Sequence, residues 1–352
     1  MEKIRTHIAF ALLALLAFST ACMEDDMQPV TAFDTSGEGI FIACEGNFMY
    51  GNASLSYYDV STGEMHNQVF LKANGIPLGD VAQSLLMHDR ELWISVNNSG
   101  KIYAIDPQTF QHNGIIKELV SPRYMLPVSD DEIWVSDLYA GVIHVIDTKS
   151  YETTGEISLN TGDQIIHNAE QMLRYNNTVI TNCWSSDNTI LFIDINEKKV
   201  TDSIKVRYQP KKIRLDKDGK LWILSDGEYD SDGEKPALQR INPEDKTVET
   251  SIVFKSGDMP TNIRLNSEGD SLYIINNDIY KMGIEDQHTG APIIEGINHN
   301  FYNLTDIPSD GFLYVTDAKN YLDPGMLYIF NQNYSAIDSL EIGIIPSAMV
   351  YP

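Results

Sequence analysis

Basic residues are scarce in this chain. Its 352 residues include 25 Lys and Arg against 50 Asp and Glu, a formal net charge of -25. That argues against nucleic acid and anionic lipid surfaces as partners, because both need basic patches. The acidic balance by itself names no partner and serves solubility. Long apolar runs are also missing: beyond a short segment near the N-terminus, nothing approaches the length of a membrane-spanning helix. No stretch between the apolar runs carries ten or more residues of helical periodicity, so an α/β fold fails. A Gly-rich phosphate loop, a nucleophile elbow and a His pair at metal-ligand spacing are all absent, and no enzymatic activity is expected.

What the sequence has in abundance is one short pattern, repeated. An apolar cluster recurs as Ile40-Phe41-Ile42, Leu92-Trp93-Ile94-Ser95, Ile133-Trp134-Val135-Ser136, Val179-Ile180-Thr181, Leu221-Trp222-Ile223-Leu224, Leu272-Tyr273-Ile274-Ile275 and Phe312-Leu313-Tyr314-Val315. After most copies a second strand-like run ends in an acid or amide, as in Tyr57-Tyr58-Asp59, Ala104-Ile105-Asp106, Val145-Ile146-Asp147, Phe192-Ile193-Asp194, Arg240-Ile241-Asn242 and Ile329-Phe330-Asn331. Repeats of roughly 40 to 50 residues built from short β-type runs have the period of propeller blades. The fold expected is all-β, a seven-bladed β-propeller. The sixth repeat is degenerate, its second strand around Asn277 to Met282 having lost the pattern.

Pro- or polar-led runs such as Pro122-Arg123-Tyr124-Met125-Leu126 and Pro210-Lys211-Lys212-Ile213-Arg214-Leu215 have the place of the innermost, channel-lining strand, and Asp/Gly/Ser-rich turns follow them. The first repeat has no such run before Ile40, whereas the chain ends on Ile345-Pro346-Ser347-Ala348-Met349-Val350 with no blade after it. The C-terminal strand is therefore expected to complete blade one and remove the open sheet edges. Cys44 and Cys183 fall in equivalent runs of the first and fourth repeats, nearly opposite in such a ring, and are expected as two unpaired buried thiols.

Lys3 and Arg5 precede an apolar run from Ile8 to Phe18 that is too short to cross a bilayer, the layout of a secretion signal. Ser19-Thr20-Ala21-Cys22 resembles the cleavage box of bacterial lipoproteins, in which the cysteine is lipidated; Ser19 stands where a Leu is usual. Glu24-Asp25-Asp26 resembles the signal that sends Bacteroidota lipoproteins to the outer face of the outer membrane. The organisation expected is a signal peptide and lipidated Cys22 over residues 1–22, a flexible acidic leader over 23–37 and the propeller over 38–352.

Propeller ligands bind where the loop after the first-named strand and the loop before the innermost strand emerge together. Here those loops carry Phe48, Tyr50, Asn97, Arg123, Tyr139, His167, Trp184, Arg207, Tyr208, Tyr229, His299, Phe301 and Tyr321. Aromatics mixed with amides and single charges suit a large, flat, amphipathic ligand. His167 and His299 come from separate blades without a carboxylate pattern, so they are read as hydrogen-bonding rim residues, not metal ligands. The loop Asp226 to Glu234 alternates carboxylates, but with Glu228 as first ligand the twelfth position is Gln239, which breaks the EF-hand register. No cofactor is expected; a structural calcium near Asp226, Glu228, Asp230 and Asp232 is the alternative to a solvated acidic insertion.

Phe41-Ile42-Ala43-Cys44-Glu45-Gly46-Asn47-Phe48, followed by Gly51-Asn52-Ala53-Ser54-Leu55-Ser56-Tyr57-Tyr58-Asp59, resembles the opening of a family of Bacteroidota seven-bladed propeller surface lipoproteins. In that family an Asn-Glu-Gly-Asn motif precedes a Ser-Leu-Ser-Tyr-Tyr-Asp strand; Cys44 here replaces the first Asn. The Leu-Trp-Ile-Ser and Ile-Tyr-Ala-Ile-Asp repeats look like the YVTN-type propeller superfamily. The group includes the cobalamin-binding accessory lipoproteins of vitamin B12 uptake, which cap a TonB-dependent outer-membrane transporter. The resemblance implies a surface lipoprotein that captures cobalamin or a related corrinoid and passes it to such a transporter. Two other classes stay open: a surface-layer or protein-interaction scaffold without a small ligand, and a propeller hydrolase or lyase whose acids converge on the channel.

Overall fold

The computed structural model describes residues 39–162, 166–228, 233–307 and 309–352. The signal segment, Cys22, the acidic leader, Tyr229, Asp230 and Asp232 lie outside these residues. Seven antiparallel sheets follow one another, six of four strands and one of three, and together they form a seven-bladed propeller. Each innermost strand lies against the innermost strands of both neighbouring blades, all the way round. Among the described residues no helix is long and apolar enough to cross a membrane.

Period-two alternation explains why the blades stick together. In Gly39–Cys44, Phe41 and Ala43 pack toward blade two, whereas Ile40, Ile42 and Cys44 pack toward blade seven. The same alternation runs through the other blades, so the apolar residues divide into seven clusters, one at each blade interface. Trp93, Trp134 and Trp222 are fully buried in three of these interfaces. Cys44 and Cys183 are free and buried, as expected.

The acid or amide that closes the second strand-like run has a local job. The Oδ1 of Asp59, Asp106, Asp147 and Asp194 each accepts two backbone N–H groups from the following turn, and Asn331 does the same. These are Asx turns that satisfy the backbone where the chain reverses. The repeated acid is thus a feature of the fold.

Blade six keeps its innermost strand Asn262–Leu265, then Ser271–Asn276 and Asp278–Gly283, but has no fourth strand. The chain instead crosses the edge once, where the Ile293 N–H donates to the Ile279 carbonyl at 2.8 Å. The degeneracy read in the sequence is therefore a lost outer strand; the strand at Asn277 to Met282 is present in the sheet.

Closure occurs where expected. Pro346–Val350 is the innermost strand of blade one, with Phe41 opposite Val350, Ile42 opposite Met349 and Ala43 opposite Ala348. The Glu45 and Gly46 N–H groups extend the seam to the Ile345 and Ile344 carbonyls at 2.9 and 3.0 Å. Deleting the last eight residues should lower the melting temperature of the whole ring in a single transition, by on the order of 10 °C. An unchanged melting temperature would show that the seam carries no stability.

Candidate functional site

The innermost strands start at one end of the channel, and one residue from each blade, at the same phase of the repeat, forms a ring. Gln83, Arg123, Glu170, Lys211, Thr261, Tyr302 and Ser347, one per blade at the same phase of the repeat, all line a cavity of about 500 Å³. Glu45, Phe48, Asn97, Tyr124, Trp184, Lys212, Asp226 and Asn262 complete most of its wall. Repetition of the fold thus brings seven different side chains to one level, where polar and aromatic groups face each other across the channel.

Two ion pairs occupy the wall. Arg123 meets Glu170 through a two-pronged contact, both bonds at 2.7 Å, and a third nitrogen donates to Gln83 Oε1 at 2.6 Å. Burial alone would lower the Arg123 guanidinium, but the Glu170 charge and hydrogen bonds outweigh it and hold it above the usual value. Losing one member of so enclosed a pair costs about 3–5 kcal/mol. Lys211 pairs with Asp226, which also accepts the Trp184 Nε1–H at 3.2 Å. Burial nevertheless pulls the Lys211 ammonium below its ordinary value. On the opposite side Glu45 accepts a hydrogen bond from the Tyr302 hydroxyl at 3.5 Å, while the Ser347 hydroxyl, which also lines the cavity, donates to the Ala82 carbonyl at 3.3 Å. Burial dominates there and pushes the Glu45 carboxyl up, although Arg123 and Lys212 pull the other way.

Above the cavity stands an apolar rim. Phe48 is 64% exposed, Tyr50 79%, Tyr139 65% and Tyr321 43%, with Met49, Met259 and Leu322 also exposed from loops at that end. The blade-one loop is held in place: Asn47 Nδ2 donates to the Tyr321 carbonyl at 2.8 Å and the Met49 N–H to Asp80 at 2.8 Å. Gly46 turns with φ +73, and a Cβ there would fall 2.7 Å from the Ala53 nitrogen, which explains the glycine in Glu45-Gly46-Asn47.

Of the residues singled out in the sequence, the structure gathers Phe48, Asn97, Arg123 and Trp184 on the cavity wall, with Tyr50, Tyr139 and Tyr321 on the rim. Arg207 and Tyr208 are half-buried beside the cavity, and both hold Glu234: the Arg207 guanidinium at 3.8 Å and the Tyr208 N–H at 3.2 Å. His167 is buried, with Nδ1 bonded to Asp187 at 2.6 Å. His299 bonds Asp317 at 2.9 Å and stacks on Phe301, which is buried between blades six and seven. These three support loops and do not line the cavity. Glu170, Lys211 and Tyr302 lie on innermost strands, and the repeat phase of those strands is the signal that finds them; Glu45 directly follows the strand Gly39–Cys44.

His167, Cys183 and Asp187 place three donor atoms within 4.8 Å of one another. Burial, aided by the Asp187 charge, raises the Cys183 thiol well above its usual range, and the His167 Nδ1 is already bonded to Asp187, so the set does not favour a cation. Of the four acids named for calcium, Asp226 pairs with Lys211, Glu228 accepts the Glu234 N–H at 3.2 Å, and the other two fall outside the described residues.

A family described as a domain of unknown function, DUF5074, matches residues 38–319. The chain belongs to the DUF5074 family. None of the curated proteins matches it. Solved structures similar to this DUF5074 protein include a quinonprotein alcohol dehydrogenase-like protein from Bacteroides thetaiotaomicron, with TM-score 0.70, 17% identity, and coverage of 90% of this chain and 79% of that one. A putative 6-phosphogluconolactonase from Bacteroides fragilis gives TM-score 0.66 at 12% identity over 90% and 98%. Virginiamycin B lyase from Staphylococcus aureus gives 0.58 at 16% over 76% and 87%. At such identities the likeness concerns the propeller fold of DUF5074 alone.

Glu45 gives this site a pH test. Because its folded-state carboxyl lies above the ordinary value of 4.5, the native state favours the proton. That contribution is complete below pH 4.5 and is lost as pH rises through the folded value. Glu45→Gln should therefore melt above the wild type at pH 7, with the gap closing near pH 4. A wild type that melts higher than the variant at pH 7 would mean that Arg123 and Lys212 outweigh burial.

Proposed function

We propose that this protein is a surface-exposed outer-membrane lipoprotein whose propeller captures cobalamin or a related corrinoid and passes it to a TonB-dependent transporter, with no chemical change to the ligand. The observation that carries the reading is the amphipathic end of the channel: large exposed apolar side chains on the rim, and amides and charges directly below. An exposed apolar surface rimmed with polar groups is a binding site by default. A flat macrocycle broader than the channel would lie across Phe48, Tyr50, Tyr139 and Tyr321, while its side-chain amides reach down to Gln83, Asn262 and Glu45. A carboxyl that takes a proton more readily than usual can donate a hydrogen bond to an amide oxygen as well as accept one.

Other features agree with this reading. The cavity volume lies within the range of about 300–1,000 Å³ common for small-ligand sites. The acids that a hydrolase would need are partly committed, Glu170 to Arg123 and Asp226 to Lys211. The lipoprotein-like N-terminus and the resemblance of residues 41–59 to the Bacteroidota surface propellers support a membrane location and a transporter partner.

Calorimetric titration of the purified chain with cyanocobalamin and with cobinamide, which lacks the lower nucleotide loop, tests the proposal. One-to-one binding is expected, weakened at least about tenfold, or about 1.4 kcal/mol, by Phe48→Ala combined with Trp184→Ala. No heat and no thermal shift with either corrinoid would sink the reading and favour a scaffold that meets another protein through the same rim.

A further inference from the structure

Below the cavity the channel breaks its own repeat. At one phase of the repeat the innermost strands carry Leu86, Leu126, Leu173 and Val350, which pack toward the next blade, and Thr305 in blade seven. In the two neighbouring blades five and six that position is Arg214 and Arg264. Ile213 and Ile263, one residue earlier, turn into the preceding blade interfaces, so alternation delivers the arginines to the other side. Arg214 is two residues beyond Lys212, and Arg264 two beyond Asn262, both cavity residues. The guanidiniums therefore start roughly 7 Å deeper along the strands.

These cations are short of partners. Lys212 reaches across the channel to the Tyr124 hydroxyl at 3.2 Å. Arg214 donates from Nη1 to Gln171 Oε1 at 2.9 Å and to the Ile213 carbonyl at 2.6 Å, and Arg264 makes one contact with Thr305 at 3.4 Å. Each guanidinium has five N–H donors, so most are left over. Among the described residues no carboxylate forms an ion pair with Lys212, Arg214 or Arg264; Glu45 acts on Lys212 and Asp306 on Arg264 only at longer range. Burial, and then the Arg264 charge, lower Arg214 to about 10. In a chain of net charge -25, two arginines at one phase of adjacent innermost strands, with no ion-paired carboxylate among the described residues, break the charge pattern.

We infer that the channel below the mouth binds a phosphoryl-type oxyanion between Arg214, Arg264 and Lys212, either free in solution or as the phosphodiester of a ligand seated on the rim. The leftover N–H donors match such a group through charge-assisted hydrogen bonds. The ligand-borne form rests on the corrinoid reading above, since a corrinoid with its nucleotide loop carries a phosphodiester and cobinamide does not; the free form stands without it.

Thermal melts of the full chain with about 10 mM inorganic phosphate, against chloride at equal ionic strength, test the free form. Phosphate is expected to raise the wild-type melting temperature by about 3 °C, and Arg214→Gln with Arg264→Gln to abolish the rise. Without phosphate the double variant should melt at or above the wild type, because a like-charge repulsion has gone; arginines with a purely structural role would lower it. For the ligand-borne form, the double variant should weaken cyanocobalamin at least about tenfold and leave cobinamide unchanged. If the double variant does not fold, direct titration of the wild type with phosphate and with chloride decides. Equal response to phosphate and chloride, together with no selective loss of cyanocobalamin, overturns the inference. A phosphate response in a protein that binds no corrinoid would retain the site and remove only the corrinoid.

Discussion

Everything in this molecule depends on one pairing, between Gly39–Cys44 near the start of the described chain and Pro346–Val350 at its end. Blades held only by the apolar faces between them would leave one interface open and two sheet edges exposed. The seam removes both, and it lets the cluster of Ile40, Ile42 and Met349 with Tyr314 and Leu327 form across blades one and seven. The same seam builds part of the cavity: Glu45 and Gly46 hang on the carbonyls of Ile345 and Ile344, and Glu45 and Ser347 both line the wall. Closure and site are a single construction.

The charges follow a related logic. In a chain of net charge -25, five basic side chains, Arg123, Lys211, Lys212, Arg214 and Arg264, stand on three innermost strands. The first two face carboxylates from neighbouring elements, which fixes the wall of the cavity. The other three do not, which leaves the deeper channel positive inside a negative protein. Any anion that enters meets a potential opposite in sign to that of the outer surface.

Strand order, blade number and closure were legible in the sequence because they rest on period-two alternation and on turn chemistry, both local. The site was half legible. Phe48, Tyr50, Tyr139, Trp184 and Tyr321 stand at the channel mouth, since a loop position in a known repeat implies a place in the ring. Trp184 parts from Trp93, Trp134 and Trp222 by one property, its position after the strand instead of within it. His167, His299 and Phe301 were less legible, because whether a side chain near a loop faces the channel or the next blade depends on a partner such as Asp187 or Asp317 contributed from elsewhere in the repeat. The ring from Gln83 to Ser347 escaped because its members share no chemistry. They share only a phase.

A seam between residues some three hundred positions apart along the chain also sets the order of events when the protein is made. Such a contact closes the largest possible loop and is among the last to form. A chain that emerges N-terminus first must hold six blades in place while the strand Gly39–Cys44 waits, its inner edge unpaired, for Pro346–Val350 to arrive. Because Glu45 and Ser347 come together only in that step, the cavity has no incomplete version. The part of the cavity wall that Glu45 and Ser347 share therefore forms with the seam and not before it.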